Sequence, residues 1–304
     1  MIKKIFFSIL LFVLVLSSGA VSAQRSYKTD SIAFADALWQ HDTIHGLYFR
    51  HFHFQNHEIF NSNQYFCVLE IPKASPLRLA FAADTVLTRV ADFARRHRAL
   101  AAINGSYFNM STGAPVCYLR VGGKELGENV PGTDTVNRKY YQNATIRLLR
   151  NGHPRFYIPD SNRLAETKIP DSNVMTAGPM LLHHGVVVPQ RLDRRFVYGR
   201  HNRTAIGIKP DGTMVLFVAD ARVRKEADGL SLPELTRVMR WLGCRDAVNL
   251  DGGGSSTMYI KDAGEDGIVN HPSDNGRFDA AGQRRVANAI LVVDPAAAAS
   301  PAAH

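Results

Sequence analysis

Residues Asp246–Met258 read DAVNLDGGGSSTM, and the rest of the chain is organised around this stretch. Ala247 to Leu250 is a short apolar run typical of a buried strand, and it ends on Asp251 before three glycines. Glycine adopts positive φ without steric cost and lets backbone N–H groups come close to a ligand. A strand that delivers a carboxylate to such a turn predicts an anion site beside an acid or base. The alternative is a glycine-rich hairpin turn with solvated serines.

Two other strand-like runs also end on polar side chains. Ala99–Ile103 leads into Asn104-Gly105-Ser106-Tyr107-Phe108, and Thr213–Ala219 leads into Asp220. Active sites are commonly assembled at the ends of strands on a rigid sheet. Asn104, Asp220 and Asp251 are therefore candidate site residues, and Tyr107 is a candidate sugar platform. The alternative for this second stretch is an Asn-Gly turn followed by two core aromatic residues.

Tight turns between apolar runs predict the fold class. Asn151-Gly152 and Asp211-Gly212 are strong hairpin signals, and Gly122-Gly123 marks a third hairpin. The clearest helix runs from Leu232 to Gly243, capped by Ser231 and carrying Glu234 in its first turn. These patterns predict an α+β fold with a mixed, mostly antiparallel sheet core and a few helices in a single catalytic domain. The order of the strands stays open.

The N-terminus has the pattern of a secretory signal peptide. Lys3 and Lys4 precede the apolar run Ile5–Leu16, and Val21-Ser22-Ala23 is a small-residue cleavage site. The alternative, an uncleaved membrane anchor, is disfavoured because the run is short for a span. We therefore expect a signal peptide over 1–23, an N-terminal extension with a first strand over 24–60, one domain over 61–294 and a disordered tail over 295–304. This predicts a periplasmic or secreted protein without a membrane span after cleavage.

The net charge of the chain indicates which class of partner it can bind. Removing 23 of the 304 residues leaves 281 and lowers the formal net charge from +9 to +7, since two lysines leave. A basic balance favours acidic partners such as phosphorylated glycans, and no basic arm or nucleic-acid motif is present.

Cysteines and histidines give weaker signals. Cys67, Cys117 and Cys244 permit one disulfide with one free thiol, or three buried thiols, and we read them mainly as small core residues. His51 and His53 share a strand face and either bind metal or face water. The second reading is favoured because no acidic residue stands nearby in sequence. We predict no cofactor and leave the metal requirement open.

At this point the chain resembles the phosphodiester glycosidases. The resemblance is carried by Asn249–Met258, NLDGGGSSTM, which is its most specific part. Weaker pieces follow in the same order as in that family: Asn104-Gly105 with Phe108, Arg203–Gly207, Asp220 with Arg222, the Leu232–Gly243 helix, Asn270–Ser273 and Arg285–Ala289. Ala221 departs from the glycine expected after Asp220, which weakens the assignment of Asp220. The resemblance spans about Leu100 to Asp294.

The resemblance implies a hydrolase that cleaves the glycosidic C–O bond of a sugar-1-phosphodiester, such as a GlcNAc-1-phosphodiester. Together with the signal-peptide pattern, this predicts an exported enzyme that acts on a cell-surface or environmental glycan. A phosphate leaving group needs little protonation, so stabilising the departing anion matters more. On this hypothesis Asp251 is the base or nucleophile, Asp220 the second carboxylate, and Asn104 and Asn249 position sugar hydroxyls. The expected phosphate and substrate contacts are Gly252, Gly253, Gly254, Ser255, Ser256, Arg203, Arg285 and Tyr107. Asp251 could instead be a structural turn carboxylate that accepts backbone N–H bonds.

Other functional classes fit the sequence less well. Gly254-Ser255-Ser256 lacks the Gly-x-Ser-x-Gly elbow of serine hydrolases, and no Gly-Lys-Ser/Thr follows the glycines as in a P-loop. The main rival is a non-catalytic protein that binds glycans or assists exopolysaccharide assembly. The two readings differ in whether Asp251 and Asp220 converge on one reactive centre, and in turnover.

Overall fold

The computed structural model describes residues 29–191 and 193–299. The predicted signal peptide lies outside the described residues. Helix α1 covers residues 29–36. The other helices are α2 (Val90–Arg96), α3 (Arg194–Tyr198), α4 (Leu232–Trp241) and α5 (Pro295–Ala299). The strands are β1 (Gln40–Ile44), β2 (Leu47–Ile59), β3 (Ser62–Ile71), β4 (Arg78–Arg89), β5 (Ala101–Asn104), β6 (Leu119–Val121), β7 (Lys124–Gly127), β8 (Ala144–Leu148), β9 (Pro154–Tyr157), β10 (Val174–Ala177), β11 (Met180–His183), β12 (Val186–Val187), β13 (Arg203–Ile208), β14 (Met214–Ala219), β15 (Asp246–Asn249), β16 (Met258–Ile260) and β17 (Arg285–Val293).

Three sheets form within the described residues, and all of their strand pairs are antiparallel. The largest has the order β1-β2-β3-β14-β13-β15-β11-β12. The second has the order β7-β6-β10-β8-β9, and the third has the order β16-β5-β17-β4. The predicted α+β class with a mostly antiparallel sheet core is confirmed.

The large sheet is buried on both faces, and β3 shows why its sequence is almost continuously apolar. Phe66 and Val68 pack into one core, while Cys67 and Leu69 pack into the other. Successive side chains of a strand point to opposite faces, so a strand between two cores needs apolar residues at every position. Helices α1 and α4 cover one face, and the two smaller sheets cover the other.

Local signals placed the hairpins and helix α4 correctly. Asn151-Gly152 joins β8 to β9, and Asp211-Gly212 joins β13 to β14. Ser231 caps α4 by accepting a hydrogen bond from the Glu234 N–H, and the Glu234 carboxylate accepts one from the Ser231 backbone N–H. This reciprocal pair is a capping box. It gives Glu234 a structural task, consistent with a helix-end carboxylate.

Two boundaries differ from the sequence predictions. The helix predicted over Thr88–Arg98 begins only at Val90, because Thr88 and Arg89 pair with β17 as the end of β4. Residues Pro295–Ala299 form helix α5, where the sequence predicts a disordered tail. Alanine has the highest intrinsic helix propensity, and four alanines after a proline at the first helical position account for the helix.

The three cysteines are buried and free, as their reading as core residues predicts. His51 and His53 make local contacts: the Tyr65 hydroxyl lies 2.9 Å from Nδ1 of His51, and Nε2 of His53 lies 2.9 Å from the Glu226 carbonyl oxygen. No helix among the described residues has both the length and the apolar character needed to cross a membrane.

Candidate active site

Strand order brings the polar strand ends to one edge of the large sheet. β13 lies between β14 and β15 and runs antiparallel to both. The C-terminal ends of β14 and β15 and the N-terminal end of β13 therefore meet there. These ends carry Asp220, Asp251 and Arg203 respectively. Asp220 and Asp251 follow strands that are two positions apart, which is about 10 Å at the usual strand spacing.

The turn at Asp251–Gly254, here called the Asp251 turn, is held in place by hydrogen bonds to its backbone. The Asp251 N–H donates to the Gly105 carbonyl, and Nδ2 of Asn104 donates to the Asp251 carbonyl at 2.7 Å. Oδ1 of Asp251 accepts a hydrogen bond from the Gly252 N–H at 2.9 Å. The turn that follows β5 thus supports the turn that follows β15, so the two stretches singled out in the sequence do meet.

Asp251 faces a cavity of about 210 Å³, here called the Asp251 pocket. Its lining includes three arginines, one histidine and two aromatic side chains. The lining residues are Tyr107, Phe196, His201, Asn202, Arg203, Arg222, Asn249, Leu250, Asp251, Gly252, Gly253 and Arg284. Three guanidinium groups beside one carboxylate suit the binding of a phosphate.

Arg203 is fixed as a buried cation. Its Nε donates to the Leu230 carbonyl, and its Nη2 donates to the Phe196 and Gly199 carbonyls. The side chain is 3% exposed, and no carboxylate among the described residues lies within ion-pair distance of it. Burial lowers the pKa of the guanidinium to about 10, so it remains charged at neutral pH. A buried positive charge without a protein counter-ion suits an anionic ligand.

The other two arginines approach the glycine turn from opposite sides. Arg222 has a positive φ of 68° and makes no ion pair within the described ranges. A Cβ on Gly253 would lie 2.8 Å from its Nη2, and the φ of +60° at Gly253 is a conformation that favours glycine. Arg284 forms two hydrogen bonds to Asp274, at 2.7 and 2.8 Å, and packs over Gly254. Both guanidinium groups thus lie beside the turn, and Asp274 holds that of Arg284.

Two titratable groups of the pocket, Asp251 and His201, have pKa values shifted in opposite directions. Burial raises the pKa of the Asp251 carboxyl from 3.8 to about 6, against the opposing effects of Ser255, the Gly252 N–H and Arg284. Burial and the neighbouring Arg203 and Arg222 lower the pKa of His201. At neutral pH the pocket therefore holds a mostly ionised carboxylate and a neutral imidazole. Perturbed groups of this kind are typical of functional sites.

A family model described as phosphodiester glycosidase matches residues 97–293, which include the Asp251 turn and most residues of the pocket. The chain belongs to the phosphodiester glycosidase family. The matched range is well over half of the 304 residues.

Three mammalian relatives share the name N-acetylglucosamine-1-phosphodiester alpha-N-acetylglucosaminidase. The mouse protein is 36% identical over 81 residues, which are 27% of this chain and 14% of its own length. The bovine protein is 24% identical over 220 residues, covering 68% of this chain and 39% of its own. The human protein is 26% identical over 199 residues, covering 61% and 36%. The chain thus spans less than two-fifths of each of these relatives.

Solved structures show the same fold. The catalytic domain of the zebrafish N-acetylglucosamine-1-phosphodiester alpha-N-acetylglucosaminidase, described as auto-inhibited by its pro-peptide, superposes with a TM-score of 0.63 at 19% identity. That match covers 84% of this chain and 86% of the zebrafish chain. A hypothetical protein from Synechocystis gives a TM-score of 0.57 at 17% identity, covering 85% of this chain and 64% of its own.

Asn249 and Tyr107 also line the Asp251 pocket. Nδ2 of Asn249 donates to the Tyr107 hydroxyl at 2.9 Å and to the Gly178 carbonyl, and the Tyr107 hydroxyl donates to the same carbonyl at 2.6 Å. These bonds fix the amide orientation. Oδ1 of Asn249 is buried and has no partner among the described residues.

The glycine turn offers fewer free donors than the sequence suggests. The N–H groups of Gly252, Gly253 and Ser255 donate to Asp251, to the Asn202 carbonyl and to the Gly252 carbonyl respectively. The glycines instead make room for the arginines and shape the turn. Ser256 is fully buried, and its hydroxyl accepts a hydrogen bond from Thr204 at 3.1 Å, so it supports the turn from behind.

Arg285 does not line the pocket, contrary to the sequence prediction. It is exposed and opens β17 opposite Arg89, whereas Arg284, one residue earlier, faces Asp251. Neighbouring residues in extended backbone point in opposite directions, so an error of one position exchanges the inward and outward arginines.

Asp220 and Asn104 also lie outside the lining of the Asp251 pocket. The Asp220 carboxyl is 1% exposed and accepts hydrogen bonds from Asn270 and His271. Asn104 is 1% exposed, and besides Asp251 it contacts Thr204 and the Thr257 N–H. Their side chains hold loops in place here, so the expected convergence of Asp220 with Asp251 on one centre is not seen.

Three further lining residues escaped the sequence analysis. His201 and Asn202 precede β13, and Phe196 lies in α3. Cζ of Arg203 lies over the Phe196 ring, 5.3 Å from the ring centroid. The sequence holds no motif for them, since they reach the pocket from a loop and a short helix. A different group, His183, His184 and Asp246, is the one cluster with metal-ligand spacing in the described part of the chain. It lies at the opposite end of β15 from Asp251, and Arg245 bonds to Asp246 at 2.7 Å.

Proposed function

We propose that this phosphodiester glycosidase hydrolyses the glycosidic C–O bond of a sugar-1-phosphodiester of the GlcNAc-1-phosphodiester type. The observation that carries the proposal is the Asp251 carboxyl, with a pKa raised to about 6, in a pocket with Arg203, Arg222 and Arg284. The names of the mammalian relatives support the same substrate class.

In the proposed reaction, the nucleophile is a water molecule. A water oxygen, deprotonated as it attacks, bonds to the anomeric carbon, the bond between that carbon and the phosphate oxygen breaks, and the electron pair stays on the phosphate. The products are a free sugar and a phosphomonoester. Arg203, Arg222 and Arg284 stabilise the negative charge that develops on the leaving phosphate, and this differential stabilisation lowers the barrier.

Asp251 is the first choice for the group that takes the proton. A general base works best when its pKa lies near the working pH, and a carboxyl at about 6 meets that condition better than an ordinary aspartate. His201 is the second candidate, since its lowered pKa keeps the imidazole neutral and able to accept a proton. Asn249 and Tyr107 line the same pocket and are the residues proposed to orient the sugar.

Turnover of a panel of sugar-1-phosphate diesters tests the proposal. The panel contains GlcNAc, glucose and galactose donors, with reducing sugar and phosphomonoester both measured. Asp251→Asn, which preserves shape and an acceptor for the Gly252 N–H, should lose at least about a hundredfold in kcat/KM. Asp36→Asn, an exposed carboxylate on α1, is the matched control and should retain activity. A parallel assay with chelator determines the metal requirement.

Two results would reject the proposal. Wild-type turnover by a folded Asp251→Asn protein would remove Asp251 from the chemistry. Saturable binding of the donors without any turnover would favour the rival function, a non-catalytic protein that binds glycans or assists exopolysaccharide assembly.

Export is a second part of the proposal. The charged start, apolar run and Val21-Ser22-Ala23 site support cleavage after Ala23 and a periplasmic or secreted enzyme acting on cell-surface or environmental glycans. N-terminal sequencing of protein recovered outside the cytoplasm should begin at Gln24. Protein that stays in the cytoplasm with its N-terminus intact would contradict this part.

A further inference from the structure

A second and larger cavity opens beside the loop that follows β16. It has a volume of about 740 Å³, within the usual range for ligand sites, and we call it the His271 cavity. Its lining shares no residue with the Asp251 pocket. Aromatic side chains from β2, β3 and the loop form its wall: Phe49, His51, Tyr65, His271 and Phe278.

A buried carboxylate orients the histidine at the centre of this cavity. Oδ2 of Asp220 accepts hydrogen bonds from the His271 N–H at 2.8 Å and from Nδ1 at 2.9 Å, and Oδ1 accepts one from Asn270. With Nδ1 as donor to Asp220, Nε2 is the ring nitrogen left for a ligand. Nε2 has no hydrogen-bond partner within the described ranges. His271 therefore presents Nε2 to the cavity in a fixed orientation.

The ring of His271 is held from two further sides. It stacks on Phe278 with a centroid distance of 3.6 Å and an interplanar angle of 14°. Tyr65 meets it edge-on at 4.6 Å and 80°. A ring held by a carboxylate, a stacked partner and an edge-on partner is positioned more firmly than packing alone requires. Such pre-organisation is a feature of binding and catalytic sites.

The charge of the cavity is opposite to that of the Asp251 pocket. Four carboxylates line it, those of Asp42, Asp262, Glu265 and Asp279, and no lysine or arginine does. One of the four, Asp262, is paired with His45 at 2.9 Å. Ionised carboxylates accept hydrogen bonds and donate none. A ligand must therefore supply donors and positive charge, and it must present an apolar face to the aromatic wall.

We infer that the His271 cavity is a second binding site, separate from the Asp251 pocket, for a sugar that bears a free protonated amine. An amino sugar combines several hydroxyl donors, a cationic ammonium group and C–H faces that pack on aromatic rings. A phosphorylated or uronic sugar is excluded because the four carboxylates repel it. The enzyme would then bind a glycan with free amino groups at one site while the arginines hold phosphate at the other.

Calorimetric titration of the Asp251→Asn protein tests the inference without hydrolysis. The probes are a glucosamine hexasaccharide, an N-acetylglucosamine hexasaccharide and a galacturonic acid hexasaccharide. We expect saturable binding of the glucosamine probe that weakens as salt is raised, weaker binding of the acetylated probe and none of the acidic one. Because binding is measured alone, this outcome does not depend on the proposed hydrolysis.

Variants assign the binding to the cavity. His271→Asn keeps a donor to Asp220 but removes Nε2 and the ring from the cavity, and it should weaken glucosamine binding about tenfold or more. Asp262 and Glu265 lie on the exposed rim of the cavity. Asp262→Asn and Glu265→Gln should each weaken glucosamine binding about twofold to fivefold. Arg222→Ala in the Asp251 pocket should leave it unchanged. Equal binding of the acidic probe, absence of glucosamine binding, or binding lost only in Arg222→Ala would overturn the inference.

Discussion

Replacing Asp251 by asparagine should stabilise the protein at neutral pH while it removes activity. The carboxyl is ionised in a buried site that favours the protonated form, so its pKa rises from 3.8 to about 6. Each pKa unit is about 1.4 kcal/mol, which makes the cost of ionising the folded state at most about 3 kcal/mol. Asparagine has nearly the same shape and retains an acceptor for the Gly252 N–H, but it carries no charge to bury.

The raised pKa of Asp251 determines how the free energy of unfolding changes with pH. Below pH 4 the carboxyl is protonated in both states, so its contribution to folding is fully present. Between about pH 4 and pH 6 it is ionised in the unfolded chain and protonated in the folded one, so stability is lost as pH rises. Above about pH 6 both states are ionised and the loss is complete. The free energy of unfolding of Asp251→Asn minus that of wild type should therefore rise across this window and then level off.

Urea unfolding of both proteins from pH 4 to pH 8 measures this difference. Because the other titrating groups are common to both proteins, their contributions cancel in the subtraction. A difference that stays flat over the window would show that the carboxyl titrates near its ordinary value. A difference that falls as pH rises would show that the arginines stabilise the anion more than burial penalises it. Either result would refute the account of Asp251 as a pre-perturbed base.

Three further predictions concern the pH profile and charged side chains. The acid limb of kcat/KM should fall with an apparent pKa of about 6, since protonation of Asp251 removes the base, and a limb near 4 would contradict this. Arg284→Ala should lower kcat/KM by about tenfold or more, whereas Arg285→Ala, its exposed neighbour, should leave it within about twofold; steady-state kinetics on a phosphodiester donor distinguish them. Glu234→Ala should cost about 2–4 kcal/mol of stability in urea unfolding, because it removes the α4 capping box and leaves Arg200 without its partner at 2.6 Å, with activity per folded molecule unchanged.

The sequence predicted what local chemistry determines. The Asp211-Gly212 hairpin joins β13 to β14 directly, and that connection sets the register of both strands. The glycines after Asp251 likewise marked the turn, because the φ of +60° at Gly253 is a conformation that side-chain-bearing residues rarely adopt. These features depend on a few neighbouring residues, so they can be read without the tertiary structure.

Features that depend on long-range packing were not predictable in the same way. Asp220 and Asp251 both follow apolar strands, but only the placement of β13 between those strands separates the two carboxylates. Asp220 then bonds to His271, which is 51 positions away in sequence. His201 reaches the pocket from a loop whose sequence carries no periodicity. Such contacts follow from the order of strands in the sheet, which the sequence left open.

The segment from Asn270 to Arg284 contributes residues to both cavities. Its first residues wall the His271 cavity, and its last one contributes a cation to the Asp251 pocket. Its N-terminal part is attached to the sheet edge by hydrogen bonds: Asn270 and His271 donate to Asp220, and the Ser273 hydroxyl donates to Oδ1 of Asn202. Exchange of this single segment between homologues would therefore change part of the lining of both cavities together, while leaving Asp251 and the sheet beneath it intact.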